Sequence, residues 1–338
     1  MSINCIRTLL EGAVQANSDK DAIVYNEKSI TYAQLFTKVN QVAFYLNELD
    51  LPKDSRIGIY STKGIEQVIA VLAILSTDYI LVPLTTLLKP EQVEYIINDC
   101  DIKCIITDKL KLESIEEINF DGHIISYETA SKGVASFEEI FKYYNKPYVC
   151  DINGHSNAVI TYSFGVSGTP KGIVISHRNL IDSARVVSEY LKLKHDDVIS
   201  GVLIFNLDYG LNQIFCTLYK AATLALHRFI LPEDFFNHLI NDKVTVIPLM
   251  PVNISQMFDE DINRLPSAEL FSGIKTITSS GGNVTAKMIK DCKNTFQQAD
   301  FYSMHGLTEA FRSTYLDPSQ VQIRPDSIGK AIPDVELY

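Results

Sequence analysis

A glycine-rich loop with hydroxyl side chains and one lysine is the segment best suited to chemistry. The run SFGVSGTPKG covers residues 163–172 and lies between two β-rich runs. Glycines let successive backbone N–H groups point into one concavity. Hydroxyl groups and an ammonium group would add hydrogen-bond donors and positive charge, which a polyphosphate requires. The residues that would supply these groups are Gly165, Gly168, Gly172, Ser163, Ser167, Thr169 and Lys171.

An ordinary hairpin loop is the alternative for this run, because Gly, Ser, Thr and Pro are common in loops. We favour the phosphate site because Lys171 directly follows Pro170 and a β-rich run lies on each side. The chain contains neither GxxxxGK[ST] nor GxGxxG. The missing motifs argue against a P-loop NTPase and against a dinucleotide-dependent dehydrogenase.

Short β-rich runs alternate with amphipathic helical runs along the chain, which indicates βαβ units and a largely parallel sheet. Thr31 is a plausible N-cap for a helix whose apolar residues recur at helical spacing from Leu35 to Leu46. A link rich in Lys, Tyr and Asn, at about 132–155, separates two halves. The pattern therefore predicts two α/β subdomains, at about 1–150 and 151–338.

Composition excludes several classes of protein. The 338 residues include 30 Lys and Arg against 41 Asp and Glu, a net charge of −11, which argues against a general nucleic-acid binder. The six cysteines are scattered without CxxC spacing, so free thiols in a reducing compartment are expected. We find no signal peptide and no apolar run of the roughly 20 residues that a membrane span needs. A cytoplasmic protein is expected.

The glycine-rich run also has a family likeness. SFGVSGTPKGIVISHRNL resembles the signature loop of the adenylate-forming superfamily, usually TSGTTGxPKGV, which includes acyl-CoA synthetases, peptide-synthetase adenylation domains and luciferases. Phe164 and Val166 depart from it, because they replace a Ser and a Thr. MHGLTEA resembles the YGxTE motif of that family, and SSGGNV resembles its Gly-Gly segment. These motifs follow the family order from about Ser29 to Val335.

The resemblance implies a role for each matching residue. Lys171, Thr308 and Glu309 would be catalytic, with Thr308 on the α-phosphate and Glu309 holding Mg²⁺. The other phosphates of ATP would contact Ser163, Gly165, Ser167, Gly168, Thr169 and Lys171. Adenine and AMP would contact Gly281, Gly282, Asn283, His305, Gly306 and Leu307. Glu309 could instead be a helix-capping or surface carboxylate, and Gly-Gly also marks any tight turn.

The substrate pocket falls, by the same resemblance, in the run FNLDYGLNQ, where it would include Asn206, Asp208, Tyr209 and Gly210. Asp208 lies about where amino-acid-activating members pair an aspartate with the substrate ammonium. A cap on a helix that begins near Gly210 is an equal alternative. The implied partners are a small carboxylic or amino acid, ATP, Mg²⁺, and coenzyme A or a phosphopantetheinyl acyl carrier protein as acceptor. His177 and His227 are expected to serve packing or capping.

The implied fold class is α/β, with the two stacked αβα subdomains of the N-terminal domain of adenylate-forming enzymes, truncated before the small β-barrel and the C-terminal domain. The implied function is ATP-dependent activation of a carboxylic acid to an acyl-adenylate for transfer to a thiol. We expect this chain to be a truncated core with impaired catalysis that works with a separate C-terminal domain. A non-catalytic module that binds nucleotide or acyl-adenylate, and an unrelated α/β scaffold, are the alternatives.

Overall fold

Strands and helices alternate along the chain in the computed structural model, as the sequence predicts. The structure describes residues 3–118, 120–128, 134–144, 148–149, 151–164, 170–259, 265–310 and 312–337. These residues belong to two units. The first comprises Met1–Lys20 and Ile30–Asp182, and the second comprises Asp21–Ser29 and Ser183–Tyr338.

The elements are numbered in chain order. The helices are α1 (Ile6–Asn17), α2 (Tyr32–Glu48), α3 (Ile65–Ile74), α4 (Pro90–Cys100), α5 (Lys109–Glu117), α6 (Phe137–Tyr143), α7 (His177–Tyr190), α8 (Asp208–Lys220), α9 (Pro232–Asn241), α10 (Pro251–Met257), a 3₁₀ turn (Ala268–Phe271) and α11 (Ala286–Thr295). The strands are β1 (Asp21–Tyr25), β2 (Lys28–Thr31), β3 (Arg56–Tyr60), β4 (Ile80–Leu84), β5 (Ile102–Thr107), β6 (His123–Ser126), β7 (Ala135–Ser136), β8 (Asn157–Phe164), β9 (Pro170–Ser176), β10 (Val198–Gly201), β11 (Thr223–Leu226), β12 (Val246–Leu249), β13 (Thr276–Ser279), β14 (Asp300–His305), β15 (Thr314–Leu316) and β16 (Lys330–Ala331).

The first unit is built on a sheet with the strand order β7-β6-β5-β3-β4-β8-β9 among the described residues. Neighbouring strands run parallel except for β8 and β9, which form an antiparallel hairpin. Strands of a parallel sheet are buried on both faces and therefore read as continuous apolar runs. β4 fits this rule, since all five of its residues are buried.

Helix α2 of the first unit shows how local sequence determines an element. The Thr31 hydroxyl accepts a hydrogen bond from the N–H of Gln34 at 3.3 Å, and the Gln34 side chain accepts one from the N–H of Thr31 at 2.9 Å. This reciprocal pair is a capping box, so the predicted N-cap is confirmed. Leu35, Val39 and Leu46, which recur at helical spacing, are buried. Apolar periodicity and the cap together define this helix.

The second unit is built on a sheet with the strand order β16-β15-β14-β13-β12-β10-β11-β1-β2 among the described residues. Strands β14, β15 and β16 pair antiparallel, and the pairs β1–β11, β10–β11, β10–β12, β12–β13 and β13–β14 are parallel. Helix α8 begins at Asp208, two residues before the predicted start near Gly210, and its residues from Tyr209 to Leu218 are all buried. A helix that is buried on all sides lies inside the core.

The division into units differs from the sequence-based boundary near residue 150. Val159 of β8 pairs with Leu81 of β4, so the β8–β9 hairpin extends the first sheet. Ile23 of β1 pairs with Leu224 of β11, which brings an N-terminal strand into the second sheet. Both differences have one physical cause, because strand pairing joins residues that are distant in sequence and leaves no local signal of the partner.

No helix in the described part of the chain combines the length and the apolar character needed to cross a bilayer.

Candidate functional site

The β8–β9 hairpin carries the predicted phosphate loop at its tip. Ser163 is paired directly with Lys171 across the two antiparallel strands. Directly opposite residues share one face of the sheet, with Cβ atoms about 5 Å apart. Ser163 is half-buried and Lys171 is exposed. The hairpin therefore presents a hydroxyl and an ammonium group on one face at the base of the loop. The predicted phosphate ligands Gly165, Ser167, Gly168 and Thr169 lie outside the described residues.

Gly172 has a packing role rather than the predicted role in loop conformation. A Cβ atom on Gly172 would lie 2.9 Å from Cγ2 of Ile160 and 3.3 Å from the Tyr162 ring. Tyr162 is the strand partner of Gly172, and its hydroxyl donates to Asp99 at 2.6 Å. Burial, followed by this hydrogen bond, raises the pKa of Tyr162 above its usual value. Glycine at 172 thus leaves room for a tyrosine that ties β8 to α4.

Two predicted adenine-binding segments meet at one edge of the second sheet. Parallel neighbours β13 and β14 have Ser279 opposite Ser303, so the residues that follow each strand emerge at the same edge. The first segment contains Gly281, Gly282 and Asn283, which are exposed. The second contains His305, Gly306 and Leu307. In parallel α/β sheets this carboxyl edge is where ligands bind.

Gly281 bends the chain just after β13. Its φ of +84° lies in the left-handed region that favours glycine. A Cβ atom at this position would also lie 3.3 Å from Cε of Met250, and one on Gly282 would lie 3.3 Å from Cγ of Pro251. The Gly-Gly pair is therefore required by a tight turn packed against the start of α10. The role of the Gly-Gly pair at the adenine stays a prediction.

Thr308 and Glu309 lie in the short connection between the antiparallel strands β14 and β15. His305 pairs with Thr314 at the end of the two strands, and the N–H of Ala310 bonds the carbonyl of Leu307 at 3.0 Å. Thr308 is half-buried and Glu309 is exposed. The described residues of this connection, 306–310 and 312–313, contain no α-helix, so Glu309 caps no helix among them. It is an exposed carboxylate on a tight turn beside the predicted adenine segments.

The predicted acid pocket contains a buried ion pair. Nη1 of Arg312 donates to Oδ2 of Asp208 at 2.9 Å, and the Arg312 side chain is 3 % exposed. The guanidinium carbon also lies 4.6 Å from the centre of the Tyr209 ring. Hydroxyl groups of Tyr209 and Thr278 share a hydrogen bond of 2.6 Å. These four side chains join the start of α8 to β13 and to the segment before β15.

The ion pair with Arg312 is neither of the two predicted roles of Asp208, which were to pair with a substrate ammonium and to cap a helix. The N-cap of α8 is Leu207, and Asp208 is the first helical residue. An anion is favourable there because the helix dipole is positive at that end. The charge of Asp208 is balanced within the protein by Arg312, whereas the proposed ammonium partner would come from the substrate. The substrate role of Asp208 stays a prediction.

Gly210 and Asn206, the remaining predicted pocket residues, have different environments. A Cβ atom on Gly210 would collide with the carbonyl oxygen of Ile204, so glycine is needed for the close approach of α8 to the preceding loop. Oδ1 of Asn206 is buried, and the described protein atoms offer it no hydrogen-bond partner. A buried amide oxygen of this kind is available to a ligand or a water molecule.

A small cavity of about 10 Å³ lies beside the ion pair, with room for about one water molecule. Tyr209, Asn212, Cys216, Met304 and Arg312 are among its lining residues. Nδ2 of Asn212 is buried without a partner among the described protein atoms. Burial raises the pKa of the Cys216 thiol to about 12, so the thiol is protonated at neutral pH. The cavity is too small for a substrate in this arrangement.

Sequence reasoning missed Arg312, which lies two positions after the MHGLTEA motif. Asp208 and Arg312 are 104 positions apart, and no spacing rule connects them. The signal that could have found the pair is chemical. Arg312 lies just before β15, whose Thr314 and Leu316 are buried, and an arginine that is buried there needs an anion. Asp208 is an acidic residue at the start of a buried helix.

The predicted catalytic and phosphate-binding residues are divided between the two units. Ser163 and Lys171 belong to the first unit, and Thr308 and Glu309 belong to the second. Within the second unit, the structure brings the Gly-Gly segment and the His305–Glu309 segment to one sheet edge.

Comparison with known proteins adds to this geometry. A family model described as AMP-binding enzyme matches residues 10–338. The chain belongs to the AMP-binding enzyme family. Tyrocidine synthase 1 of Brevibacillus parabrevis is 23 % identical to this chain over 336 residues, which cover 98 % of the chain and 29 % of the relative. Gramicidin S synthase 1 of Brevibacillus brevis is 24 % identical over 338 residues, with the same coverage.

Solved structures support the fold of this chain. The anthranilate CoA ligase AuaEII in complex with anthranoyl-AMP has a TM-score of 0.88 at 22 % identity, covering 100 % of this chain and 66 % of that one. VinN in complex with L-aspartate has a TM-score of 0.85 at 19 % identity, covering 97 % and 82 %. The predicted family and the predicted α/β fold are thus confirmed. The chain spans less than a third of the two curated relatives described above.

Proposed function

We propose that this chain forms the nucleotide-binding part of an ATP-dependent ligase that activates a carboxylic acid as an acyl-adenylate. A thiol, on coenzyme A or on a carrier protein, would then accept the acyl group. The observation that carries the proposal is the extent of the family match. It covers residues 10–338 and so includes both the glycine-rich loop and the His305–Glu309 segment.

The proposed reaction needs charge neutralisation and positioning above all. A carboxylate oxygen of the acid attacks the α-phosphorus of ATP and forms a new P–O bond. The bond from that phosphorus to the oxygen bridging the β-phosphorus breaks, and pyrophosphate leaves. Lys171 and Ser163 share one face of the β8–β9 hairpin, which supports a role in binding the β- and γ-phosphates. Their donors would offset the negative charge that pyrophosphate carries away.

Thr308 and Glu309 are proposed to act at the α-phosphate. The Glu309 carboxylate is a hard oxygen donor of the kind that Mg²⁺ prefers. One protein carboxylate suffices, because Mg²⁺ is commonly bound by one or two carboxylates together with substrate phosphates. The donor set therefore fits the metal. When bound, Mg²⁺ supplies positive charge at the phosphate oxygens. Thr308 would hold the α-phosphate by a hydrogen bond from its hydroxyl.

Adenine is proposed to lie against the Gly-Gly turn and the end of β14. Gly281 and Gly282 have no side chains, so a planar base could approach their backbone closely. His305 is an exposed aromatic ring at the same sheet edge and could stack on the base. Asn283, Gly306 and Leu307 complete the proposed contact surface.

The acid substrate is proposed to bind near Asn206, Asp208, Tyr209 and Gly210. Relatives named as synthases of tyrocidine and gramicidin S, and neighbours solved with L-aspartate or anthranoyl-AMP, support a small carboxylic or amino acid. The name anthranilate CoA ligase supports coenzyme A as the acceptor. A carrier protein is the alternative that the sequence motifs imply. A cytoplasmic location stays a prediction from cysteine usage. Cys5, Cys100, Cys104, Cys216 and Cys292 are free and buried.

Calorimetric titration with MgATP and with a non-hydrolysable acyl-adenylate tests the proposal. We expect Lys171→Ala and Glu309→Ala to weaken MgATP binding about tenfold or more, because each removes a charged contact worth about 1.5–3 kcal/mol. Lys109→Ala and Glu269→Ala remove exposed charges elsewhere in the same two units and serve as matched controls. The affinity of Glu309→Ala should also respond less to Mg²⁺ than that of the wild type. Unchanged affinity in both test variants would contradict the assignment.

A nucleotide-binding module without turnover is a second candidate, favoured by one observation. Phe164 and Val166 stand where the resembling loop has hydroxyl residues that would face phosphate. Pyrophosphate exchange into ATP, measured with a panel of acids, separates the two candidates. A ligase exchanges pyrophosphate with its cognate acid, whereas the module binds MgATP and exchanges none. Restoring the hydroxyls in a Phe164→Ser, Val166→Thr variant should then raise the exchange rate.

A further inference from the structure

Two histidines and an aspartate form a cluster in the second unit, outside the residues proposed for adenylation. His227 follows β11 directly, and His238 lies in the last turn of α9. Asp242 is the C-cap residue of the same helix. Nitrogen and oxygen atoms of these three side chains lie within 4.8 Å of one another. His227 is buried, whereas His238 and Asp242 are half-buried.

The three side chains are arranged much as the ligands of a metal site are before the ion binds. Nε2 of His227 lies 2.8 Å from Oδ2 of Asp242. The rings of His227 and His238 are 5.5 Å apart and inclined by only 27°. In a tetrahedral site with bonds of about 2.0–2.1 Å, neighbouring ligand atoms are about 3.4 Å apart. On metal binding, the contact between Nε2 of His227 and Oδ2 of Asp242 would have to lengthen slightly, and the widest separation among the three ligand atoms would have to shorten. His238 and Asp242 are partly exposed and can make that adjustment.

Ser200 provides a second observation from outside the cluster. Its hydroxyl lies 2.8 Å from Nδ1 of His227. Histidines that bind a metal through one ring nitrogen almost always donate the other N–H to an oxygen, which fixes the tautomer and the ring orientation. The Asp242 carboxylate can only accept, so Nε2 of His227 carries the proton in this structure and Nδ1 accepts from the Ser200 hydroxyl. On metal binding the ring proton would move to Nδ1, whose N–H would donate to the Ser200 oxygen, and the Nε2 lone pair would face the ion on the side of Asp242. Ser200 can thus orient the buried ring in both states.

We propose that His227, His238 and Asp242 bind one transition-metal ion of the Zn²⁺ class. Two imidazoles and one carboxylate suit Zn²⁺, which takes nitrogen and oxygen ligands and is usually four-coordinate. A water molecule would fill the fourth position. Two neutral histidines and one aspartate leave a net charge of +1 on the loaded site, which its half-exposed side can hydrate. The ion would tie the segment after β11 to the end of α9.

A serine–histidine–aspartate hydrolase is excluded as a reading of the same contacts. Ser200 is 0 % exposed and His227 is 1 % exposed, so a substrate cannot reach the hydroxyl. A nucleophile must be within reach of the atom that it attacks. The contacts of Ser200 therefore serve His227 rather than a substrate.

Isothermal titration of the purified full chain with ZnSO₄ tests the proposal. We expect one saturable site in the wild type and at least a tenfold loss of affinity in His238→Ala. His238 is only half-buried, so this variant is expected to fold. His195→Ala removes an exposed histidine of the same unit and is the matched control. Ser200→Ala should weaken binding about 10- to 100-fold, the usual cost of losing an outer-sphere hydrogen bond.

The cobalt(II) spectrum distinguishes this site from cysteine ligation. Substituted Co²⁺ should show d–d absorption of a four-coordinate site without thiolate-to-cobalt charge transfer, because the cluster contains no cysteine. Thiolate absorption, no saturable binding in the wild type, or equal affinities in the wild type and His238→Ala would each overturn the proposal. These readouts involve neither ATP nor an acid, so they are independent of the proposed ligase function.

Discussion

Breaking the buried ion pair between Asp208 and Arg312 is expected to destabilise the second unit by several kcal/mol. Two opposite charges about 4 Å apart attract by about 4 kcal/mol at an effective dielectric constant of 20. Removing one partner of a buried pair costs about 3–5 kcal/mol, since the other charge stays buried without compensation. Asp208→Asn should cost the most, because it leaves the 3 %-exposed guanidinium behind. The Asp208 carboxylate is 16 % exposed, so Arg312→Met leaves a better hydrated charge.

A surface ion pair of similar length provides the matched comparison. Arg185 and Asp334 are 2.7 Å apart, but their side chains are 32 % and 73 % exposed. Exposed pairs contribute about 0–1 kcal/mol. Asp334→Asn is therefore expected to cost less than 1 kcal/mol although its ion pair is the shorter one. Burial and not distance accounts for the expected difference.

Urea unfolding measures these costs, with tyrosine fluorescence as one signal because the chain has 17 tyrosines and no tryptophan. Hydrogen exchange in β13, β14 and α8 localises the loss to the second unit. The double variant Asp208→Asn, Arg312→Met should lose about 3 kcal/mol less than the sum of the single variants. The reasoning is refuted if Asp208→Asn costs no more than Asp334→Asn, or if the two single losses simply add.

Two further predictions concern stability. Burial lowers the pKa of His177 to about 4, below its ordinary 6.5, so the unfolded chain binds this proton first as the pH falls. His177 should therefore make no pH-dependent contribution to stability above pH 6.5, and it should lower the free energy of unfolding by about 2 kcal/mol at pH 5. Urea unfolding at a series of pH values should show that His177→Gln loses less stability on acidification than the wild type. An equal loss in the two proteins would contradict this expectation. Gly210→Ala would force Cβ onto the carbonyl oxygen of Ile204 and should lower the free energy of unfolding by about 1–3 kcal/mol. Gly273→Ala is the control, because a Cβ atom there would have no neighbour within 4 Å and should change the urea midpoint little. Equal urea midpoints of the two variants would contradict the proposed collision.

Local signals made some elements predictable. One short segment contains both the capping pair of Thr31 and Gln34 and the apolar spacing of α2. The same holds for β4, whose five buried residues form a continuous apolar run. Such elements follow from capping, periodicity and burial, which involve neighbours in the sequence.

Pairing over long distances could not be predicted in this way. Nothing in the β8–β9 hairpin indicates that β8 lies beside β4, and nothing in Asp208 names Arg312 as its partner. The hairpin at the base of the glycine-rich loop was nevertheless predictable, because its two β-rich runs flank the glycines directly. The motifs identified the segments of the candidate site, and tertiary structure determined which charges inside them were already balanced.

The position of β1 has a consequence for biosynthesis. Asp21 and Thr223 are hydrogen-bonded although they are 202 residues apart. On the ribosome β1 emerges long before β11 exists, so the edge of β1 that pairs with β11 stays open while the strands of the first sheet are made. The second sheet is therefore begun before the first sheet and can be completed only after it. A recombinant fragment starting at Ser183 would lack β1 and β2 and would expose the edge of β11. We expect such a fragment to aggregate by pairing of exposed strands.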